Sequence, residues 1–306
     1  MRCPVCKDKE STFVVTEHGN SHTSKFGVGR FECSNCSFIF SDYVAPEVLL
    51  MVYTYMFRGT TPHIIDDLRD LTRANGKSQL ITMQPHLPNR LGRVLDFGGG
   101  LGEAAKLYLP FSEAVYIVEK DPAALACIRE IPELEILEEE DLLKDKYVGF
   151  FDLVIFSNVL EHMPFPLQQI QKFSRMIAEG GFLFVEVPCE ADLFKKTNVA
   201  PPLHLGFYTL HSFIKLVEEQ GSFEIIDIRR CGASTEKIIE GGKFIHDTES
   251  QNTEDGYEIR ALLKNVRPNQ KSIEYEYDEE EGDGILENLS EYLLHFTSFR
   301  SGESIE

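Results

Sequence analysis

Four cysteines near the start of the chain form two C-x2-C pairs, in the stretches "CPVC" and "CSNC". The pairs are separated by 26 residues. This spacing is typical of a zinc ribbon, in which four thiolates complete the tetrahedral shell of one Zn²⁺. A segment of about 40 residues buries too little surface to fold alone, so the metal would supply the missing stability. The predicted zinc ligands are Cys3, Cys6, Cys33 and Cys36.

Other uses of paired cysteines fit this sequence less well. Disulfides are typical of secreted proteins, and the start "MRCPVCKDKE" has no hydrophobic secretory region. A redox C-x-x-C motif normally occurs once, at the start of a helix, rather than twice. A third alternative, in which the pairs are remnants that bind no metal, stays open at this point.

A glycine-rich segment, "DFGGGLGE", places Asp96 before three glycines at alternate positions, Gly98, Gly100 and Gly102. It lies between a predicted strand and a predicted helix. Glycines in such a loop let the backbone turn sharply and approach a ligand, and the helix N-terminus favours negative charge. The loop alone is weak evidence, because dinucleotide-binding enzymes have similar loops.

Two acidic residues after the neighbouring strands strengthen this interpretation. Glu119 ends the second predicted strand, 23 residues after Asp96, where a carboxylate can accept hydrogen bonds from two ribose hydroxyls. Asp141 follows the third predicted strand, where it could meet an adenine amino group. The loop and both carboxylates, in this order, indicate an adenosine-containing ligand more strongly than the loop does alone.

The elements that would position these residues alternate between strand and helix from Arg93 onward. Near-continuous apolar strands separated by helices predict a mostly parallel sheet that is covered on both faces. We therefore predict an α/β fold with a doubly wound, Rossmann-like sheet of seven strands, preceded by the small zinc ribbon. The predicted strands are "RVLDF", "AVYIVEK", "LEILEE", "FDLVIFS", "FLFVEVP", "FEIIDIRR" and "YEIRALLKN". Two of the predicted helices are "LGEAAKLYL", stopped by Pro110, and "PLQQIQKFSRMIAEGG", ending at Gly180.

The glycine loop, the two acidic residues and the stretch "FDLVIFSNVLEHMPFP" together resemble the class I S-adenosylmethionine-dependent methyltransferases. The resemblance extends from residue 91 to about residue 230. It implies that the glycine loop contacts the methionine end of the cofactor, that the acid after strand two binds the ribose, and that the acid after strand three binds the adenine. The cofactor-binding residues it implies are Asp96, Gly98, Gly100, Glu119, Asp141 and Asn158.

The cysteine module in front of this domain is similar to that of sugar C-methyltransferases. That similarity implies a small-molecule acceptor, such as a sugar, a nucleotide sugar or a secondary metabolite. The chain differs from those enzymes because only about 70 residues follow the sixth predicted strand.

Four parts of the chain are predicted on these grounds. Residues 1–42 form the zinc ribbon and residues 43–92 form a helical linker or lid. Residues 93–266 form the S-adenosylmethionine-binding methyltransferase domain. Residues 267–306 are an acidic extension, interpreted as a solvated tail.

Three residues are candidates for removing a proton from the acceptor. His204, in "PPLHLGFYT", lies in the loop after the fifth strand, and imidazole suits proton transfer because its usual pKa is about 6.5. His162 follows the fourth strand, and Glu186 lies near the end of the fifth. Each histidine could instead have a purely structural role.

Charge and hydropathy limit the partners. The net charge is −20, and half of it comes from residues 272–306, which hold 11 acidic residues against one arginine. Nucleic-acid binding needs a basic surface, so this balance argues against such a partner. No apolar run approaches 18 residues, so the sequence predicts a cytoplasmic protein without a membrane partner.

The predicted function is methyl transfer from S-adenosylmethionine to a small molecule, with a structural zinc site. One alternative is a zinc-ribbon binding protein whose methyltransferase fold is inactive. Another is an RNA methyltransferase, although the motif N-P-P-Y is replaced by "SNVL" after the fourth strand.

Overall fold

The computed structural model describes residues 2–14, 30–41, 62–197, 204–234, 237 and 254–266. Within these residues, no helix combines the length and the apolar character needed to cross a membrane. Much of the predicted linker and all of the predicted acidic extension lie outside the described residues.

A sheet of seven strands forms the centre of the fold, as the sequence predicts. Its strand order is β10-β11-β8-β7-β4-β5-β6. Strands β6, β5, β4, β7 and β8 run parallel to one another, whereas β11 runs antiparallel to both β8 and β10. The strands are β4 (Leu91–Phe97), β5 (Ser112–Val118), β6 (Leu134–Ile136), β7 (Phe151–Ser157), β8 (Ile177–Pro188), β10 (Phe223–Ser234) and β11 (Gly256–Asn265).

Five α-helices accompany the sheet in the described part of the chain. They are α1 (Pro62–Met83), α2 (Pro122–Ile128), α3 (Pro166–Met176), α4 (Ala191–Thr197) and α5 (Leu210–Gln220). Helix α2 begins with Pro122 in its first turn, and the Asp121 side chain accepts a hydrogen bond from the Ala123 amide at 2.7 Å.

Two predicted helices differ from the structure. The first is a 3₁₀ helix, Ala105–Phe111, that contains Pro110 rather than ending before it. The second ends at Met176, and β8 begins with the next residue, so Gly180 lies inside a strand with φ of 78°. A distant side chain fixes this early end. The buried Asn265 amide donates to the carbonyl groups of Ser174 and Ile177 at 3.0 and 2.9 Å.

A second, four-stranded sheet joins the cysteine module to the rest of the protein. Its order is β1-β2-β3-β9, where the first three strands are Ser11–Phe13, Arg30–Cys33 and Ile39–Ser41. Strand β9, Gly206–Phe207, comes from the loop that carries His204. A Cβ atom on Gly206 would lie 2.5 Å from Cζ of Phe38, so this close approach requires glycine. The cysteine module therefore shares a sheet with that loop.

Candidate active site

The four predicted cysteines meet at one buried point. Their sulfur atoms all lie within 4.8 Å of one another. The Sγ atoms of Cys3 and Cys36 are 3.7 Å apart, and those of Cys6 and Cys33 are 3.5 Å apart. Four sulfurs placed about 2.3 Å from a tetrahedral Zn²⁺ would be separated by about 3.8 Å. The cluster therefore has both the donor set and the dimensions of a structural zinc site.

The two cysteine pairs also share one backbone conformation. The amide of Lys7 donates to the Cys3 carbonyl at 3.0 Å, and the amide of Ser37 donates to the Cys33 carbonyl at 2.9 Å. Lys7 and Ser37 each follow the second cysteine of a pair, with φ of 61° and 57°. Non-glycine residues seldom adopt such angles. Their repetition shows that both turns are formed in the same way around the cluster.

The glycine loop after β4 has the backbone that its sequence requires. Gly98 has φ of 73°, and a Cβ atom there would lie 2.6 Å from Cγ2 of Val159. Gly100 has φ of 54°, and a Cβ atom there would meet nothing within 4 Å. The first glycine is therefore needed for both conformation and space, whereas the second borders open space in which a ligand could lie.

Glu119 lies directly beside this loop, immediately after β5. One carboxylate oxygen accepts a hydrogen bond from the Gly100 amide at 2.9 Å. The other accepts from the amides of Lys120 and Asp121 at 2.7 and 2.9 Å. Burial raises the pKa of Glu119, while these three amides favour its charged form. The structure thus brings together Gly100 and Glu119, two of the predicted cofactor-binding residues.

The other two predicted acids have contrasting environments. Asp96 is buried at the end of β4, and burial, together with the negative charge of Glu119, raises its pKa to about 7. Asp141 lies in a 3₁₀ helix, Glu139–Leu143, that follows β6. Its partly exposed carboxylate pairs with Lys144, which lowers the pKa of Asp141. Asp96 lies at the carboxyl end of β4, and Asp141 follows the carboxyl end of β6, with β5 between the two strands. Both therefore belong to the edge at which parallel sheets of this kind bind ligands.

Asn158 follows β7 and adopts φ of 54°. Its backbone amide donates to the Glu186 carbonyl at 2.9 Å, and its side-chain nitrogen lies 3.3 Å from Oε1 of Glu186. The side-chain oxygen Oδ1 is buried and accepts no hydrogen bond from the described residues. This oxygen is therefore available to a ligand at the same edge of the sheet.

Glu186 is enclosed by a polar network that sequence reasoning did not anticipate. Its Oε1 accepts hydrogen bonds from Asn75 and Gln79 of α1 at 2.9 and 2.7 Å. Its Oε2 pairs with Arg260, which is completely buried in β11. The Arg260 guanidinium also donates to Ser78 and Asn75 at 2.7 and 2.9 Å. Both oxygens of this predicted catalytic candidate are thus used to hold α1 against the sheet.

His204 and His162, the other two candidates, come together with Glu161. Each of these three residues offers one potential ligand atom, and the three atoms lie within 4.8 Å of one another. The two imidazole rings meet edge to face, with centroids 4.9 Å apart. A hydrogen bond of 2.8 Å from the Leu205 amide to the Glu161 carbonyl joins the two loops that carry them. We name Glu161, His162 and His204 the histidine cluster.

Glu190 orients one member of the histidine cluster. Its carboxylate contacts Nδ1 of His204 and accepts a hydrogen bond of 2.8 Å from the hydroxyl of Tyr257. Burial alone would lower the pKa of His204, but the charge and hydrogen bond of Glu190 outweigh this effect and raise it. Sequence reasoning missed Glu190. The only available indication was an acidic residue two positions after the end of the fifth strand.

Glu161 is the least satisfied group at this site. Its side chain is 1% exposed, and neither carboxylate oxygen accepts a hydrogen bond from the described residues. Burial raises its pKa to about 8. A buried carboxylate without hydrogen bonds is uncommon in proteins and suggests a missing ligand.

The sequence model of a family described as a methyltransferase domain matches residues 67–227, which is 161 of the 306 residues. No curated protein sequence matches the chain.

Several solved structures align with part of the chain at low sequence identity. An S-adenosylmethionine-dependent methyltransferase from Mesorhizobium loti is 14% identical, with a TM-score of 0.44; 62% of this chain and 99% of that chain are covered. An S-adenosylmethionine-dependent methyltransferase from Leishmania major is 14% identical, with a TM-score of 0.47 and coverages of 71% and 83%. The [4+2]-cyclase SpnF is 13% identical, with a TM-score of 0.46 and coverages of 62% and 80%.

The family match spans more than half of the chain and includes the glycine loop, Glu119 and most of the seven-stranded sheet. The chain belongs to the methyltransferase-domain family and has a Rossmann-like methyltransferase fold.

Proposed function

We propose that this protein transfers a methyl group from S-adenosylmethionine to a small-molecule acceptor. The observation that carries this proposal is the contact between the glycine loop and Glu119. Three backbone amides fix the carboxylate at the ligand-binding edge of the sheet, next to the open space at Gly100. The family match supports the same reaction class.

The cofactor would be held by residues on neighbouring strand ends. Gly98 and Gly100 would let its methionine part approach the backbone, with Asn158 close by. Glu119 would accept hydrogen bonds from the ribose hydroxyls, and Asp141 would bind the adenine amino group. S-adenosylmethionine held by these residues would supply a methyl group on a positively charged sulfur, and this sulfur would leave as a neutral thioether once the acceptor had taken the methyl group.

The acceptor must lose a proton for the reaction to balance when its nucleophile is a hydroxyl group or an acidic carbon. We propose that this occurs at the histidine cluster, with His204 as its centre. Glu190 holds Nδ1 of His204, which leaves Nε2 to act toward the acceptor. Glu186 was a third candidate, but its pairing with Arg260 and α1 suits a positioning role instead.

A small acceptor fits the burial of this site. Glu161 and Glu190 are each 1% exposed and His204 is 9% exposed, so the acceptor would have to enter a confined space. A polymer would need an open surface, and RNA would also need a basic one. The overall charge of −20 opposes RNA as the acceptor.

A panel assay tests the proposed function. Purified protein is incubated with methyl-labelled S-adenosylmethionine and nucleotide sugars, phenolic metabolites, RNA or peptides. Label transferred to a small molecule supports the proposal. Transfer to RNA, together with RNA binding that weakens as salt rises, would replace it with the RNA methyltransferase alternative. Binding of cofactor without transfer to any class would favour the inactive alternative.

Replacing Glu119 by Ala should weaken S-adenosylmethionine binding at least tenfold. The change removes a charged acceptor for the ribose hydroxyls, and hydrogen bonds to charged groups are worth about 1.5–3 kcal/mol. Isothermal titration calorimetry measures the dissociation constant directly. Glu113→Ala is a matched control, because Glu113 is exposed near the start of β5, the strand that Glu119 follows. Equal affinities for wild type and Glu119→Ala would remove Glu119 from the cofactor site.

Cofactor affinity should rise with pH between about 6 and 8, because the pKa of Asp96 lies near 7. In the free protein the buried carboxyl is partly protonated below this pH. The cationic cofactor favours the charged form, so binding releases a proton and strengthens as pH rises, until Asp96 is already ionised. Calorimetry across this range should show the trend in wild type and a flatter profile in Asp96→Asn. A flat wild-type profile would contradict this role.

The cysteine cluster should hold Zn²⁺ and stabilise the loop that carries His204. We expect Cys33→Ser to lower the zinc content by one ion per chain in elemental analysis, because zinc–thiolate bonds supply folding energy to small modules. Strand β9 pairs with β3 of the cysteine module, so the backbone amides of β9 should exchange hydrogen faster in this variant than in wild type. Cys127→Ser, which lies outside the cluster, should keep both properties. Unchanged zinc content in Cys33→Ser would contradict the assignment.

A further inference from the structure

We propose that Glu161, His162 and His204 bind a divalent transition-metal cation, at a second metal site distinct from the four cysteines. This inference rests on the proposed function, because it specifies how the histidine cluster would act on the acceptor. The cation would be held by two imidazole nitrogens and one carboxylate oxygen, with the remaining positions open.

The positions of the three donors fit a metal ion. One potential ligand atom from each residue lies within 4.8 Å of the other two. Nitrogen and oxygen ligands at 2.0–2.2 Å from a cation would be separated by about 3–3.5 Å. Nε2 of His162 lies 3.9 Å from Oε1 of Glu161, so small side-chain rotations would bring this pair to that separation. The residues come from the loop after β7 and the loop before β9, and the hydrogen bond between Leu205 and Glu161 already holds these loops together.

The unsatisfied carboxylate of Glu161 is the independent observation that points to a ligand. It is almost fully buried, and neither of its oxygens accepts a hydrogen bond within the described residues. Leaving a carboxylate in this state is costly, because burial removes water that nothing replaces. A cation bound to it would supply the missing partner. Transfer of a proton from either nearby histidine to Glu161 would still leave both of its oxygens without hydrogen bonds.

Glu190 and Tyr257 lie outside the proposed ligand set and orient His204 within it. A histidine that binds a metal commonly donates its other ring N–H to a carboxylate, which fixes the ring and its tautomer. Glu190 has this relationship to Nδ1 of His204, and the Tyr257 hydroxyl holds Glu190 at 2.8 Å. If His204 acted only as a free base, Glu190 would be a sufficient partner for it. Glu161 and His162 lie beside His204 as further potential ligands, which favours a metal site.

The donor atoms, two imidazole nitrogens and one carboxylate oxygen, indicate which class of metal ion the site would bind. Imidazole nitrogen favours first-row transition metals over Mg²⁺ and Ca²⁺, which prefer oxygen ligands. Three protein ligands also leave positions for the acceptor. A cation there would lower the pKa of a bound acceptor hydroxyl and so promote its loss of a proton. His204 would then contribute as a ligand rather than as a free base.

Cobalt tests this site in the full-length protein. Protein purified without chelator is dialysed to equilibrium against Co²⁺, and bound zinc and cobalt are counted together by elemental analysis. We expect two metal ions per chain in wild type, and one in Glu161→Gln and in His162→Gln. His86→Gln is the matched control, because His86 is exposed beyond the end of α1, and it should bind two.

Absorption spectra show which donors bind cobalt. Thiolate ligands give Co²⁺ an intense charge-transfer band, whereas nitrogen and oxygen ligands do not. Cobalt that binds without this band, and that is lost in Glu161→Gln, supports the second site. Wild type that binds no cobalt would overturn the proposal. So would two metals that persist in both variants, or cobalt found only with the thiolate band.

Two further measurements separate the possible failures. Circular dichroism checks that the variants are folded, and Glu190→Gln, which keeps all three ligands, should weaken cobalt binding without abolishing it. Calorimetry with S-adenosylmethionine is done on the same samples. Normal cofactor binding with no second metal would overturn this inference alone. Failure of wild type to bind cofactor would overturn the proposed function and leave the metal count to decide the site.

Discussion

Replacing His204 by Asn should lower the turnover of methyl transfer about a hundredfold or more while the affinity for cofactor is unchanged. His204 is held by Glu190 at Nδ1, and its ring faces Glu161 and His162. Asparagine removes the group that acts at the other ring nitrogen, whether through a bound cation or by proton transfer. The cofactor residues lie on other strand ends and should be unaffected.

The measurement is kcat with the acceptor found in the panel assay, together with the cofactor dissociation constant from calorimetry. His86→Asn, on an exposed histidine outside the cluster, should match wild type in both. If His204→Asn also matches wild type, His204 has no part in the reaction, and His162 would be the next residue to replace. If cofactor binding is lost as well, the effect is structural and the assignment fails.

Replacing Arg260 by Met should lower the free energy of unfolding by about 3–5 kcal/mol, because it leaves a buried charge without its partner. Arg260 is completely buried, and its guanidinium pairs with Glu186 and donates to Asn75 and Ser78. Without it, the Glu186 carboxylate stays buried with only neutral donors. Helix α1 should also pack less firmly against the sheet.

Urea unfolding, followed by circular dichroism, measures this change. The double variant Glu186→Gln/Arg260→Met should recover part of the loss, because it removes the orphaned charge as well. Arg129→Met is the control. Arg129 is exposed after α2, and its replacement should change stability by less than about 0.5 kcal/mol. Equal stability of Arg260→Met and the control would show that the pair does not anchor α1.

Local patterns in the sequence were sufficient to predict the sheet and the cysteine cluster. Apolar runs bounded by glycines identify strands, because the position of a strand depends largely on residues that are close together in the sequence. The C-x2-C spacing likewise places two sulfurs in one short turn. The same reasoning extended helix α3 to Gly180, which was wrong, because its end is set by Asn265, a residue almost 90 positions away in the chain.

The residues of the candidate site likewise include contacts that the sequence could predict and contacts that it could not. Gly100 and Glu119 could be predicted to lie together, because the carboxyl ends of adjacent parallel strands meet at one edge. The partners of His204 and Glu186 could not. Glu190 is recognised as an orienting group only when β11 brings Tyr257 against it, and Arg260 pairs with Glu186 only through the antiparallel contact of β11 with β8. Long-range pairing of this kind leaves no local pattern.

Nuclear magnetic resonance of the backbone amides during titration with S-adenosylmethionine tests the central claim most directly. It reports both binding and the place where the cofactor binds. We predict saturation at one cofactor per chain, with the largest shifts at the amides of Gly98, Gly100 and Asn158 and at those of Lys120 and Asp121, which donate to Glu119. No shift at saturating cofactor, or shifts confined to other parts of the sheet, would contradict the account.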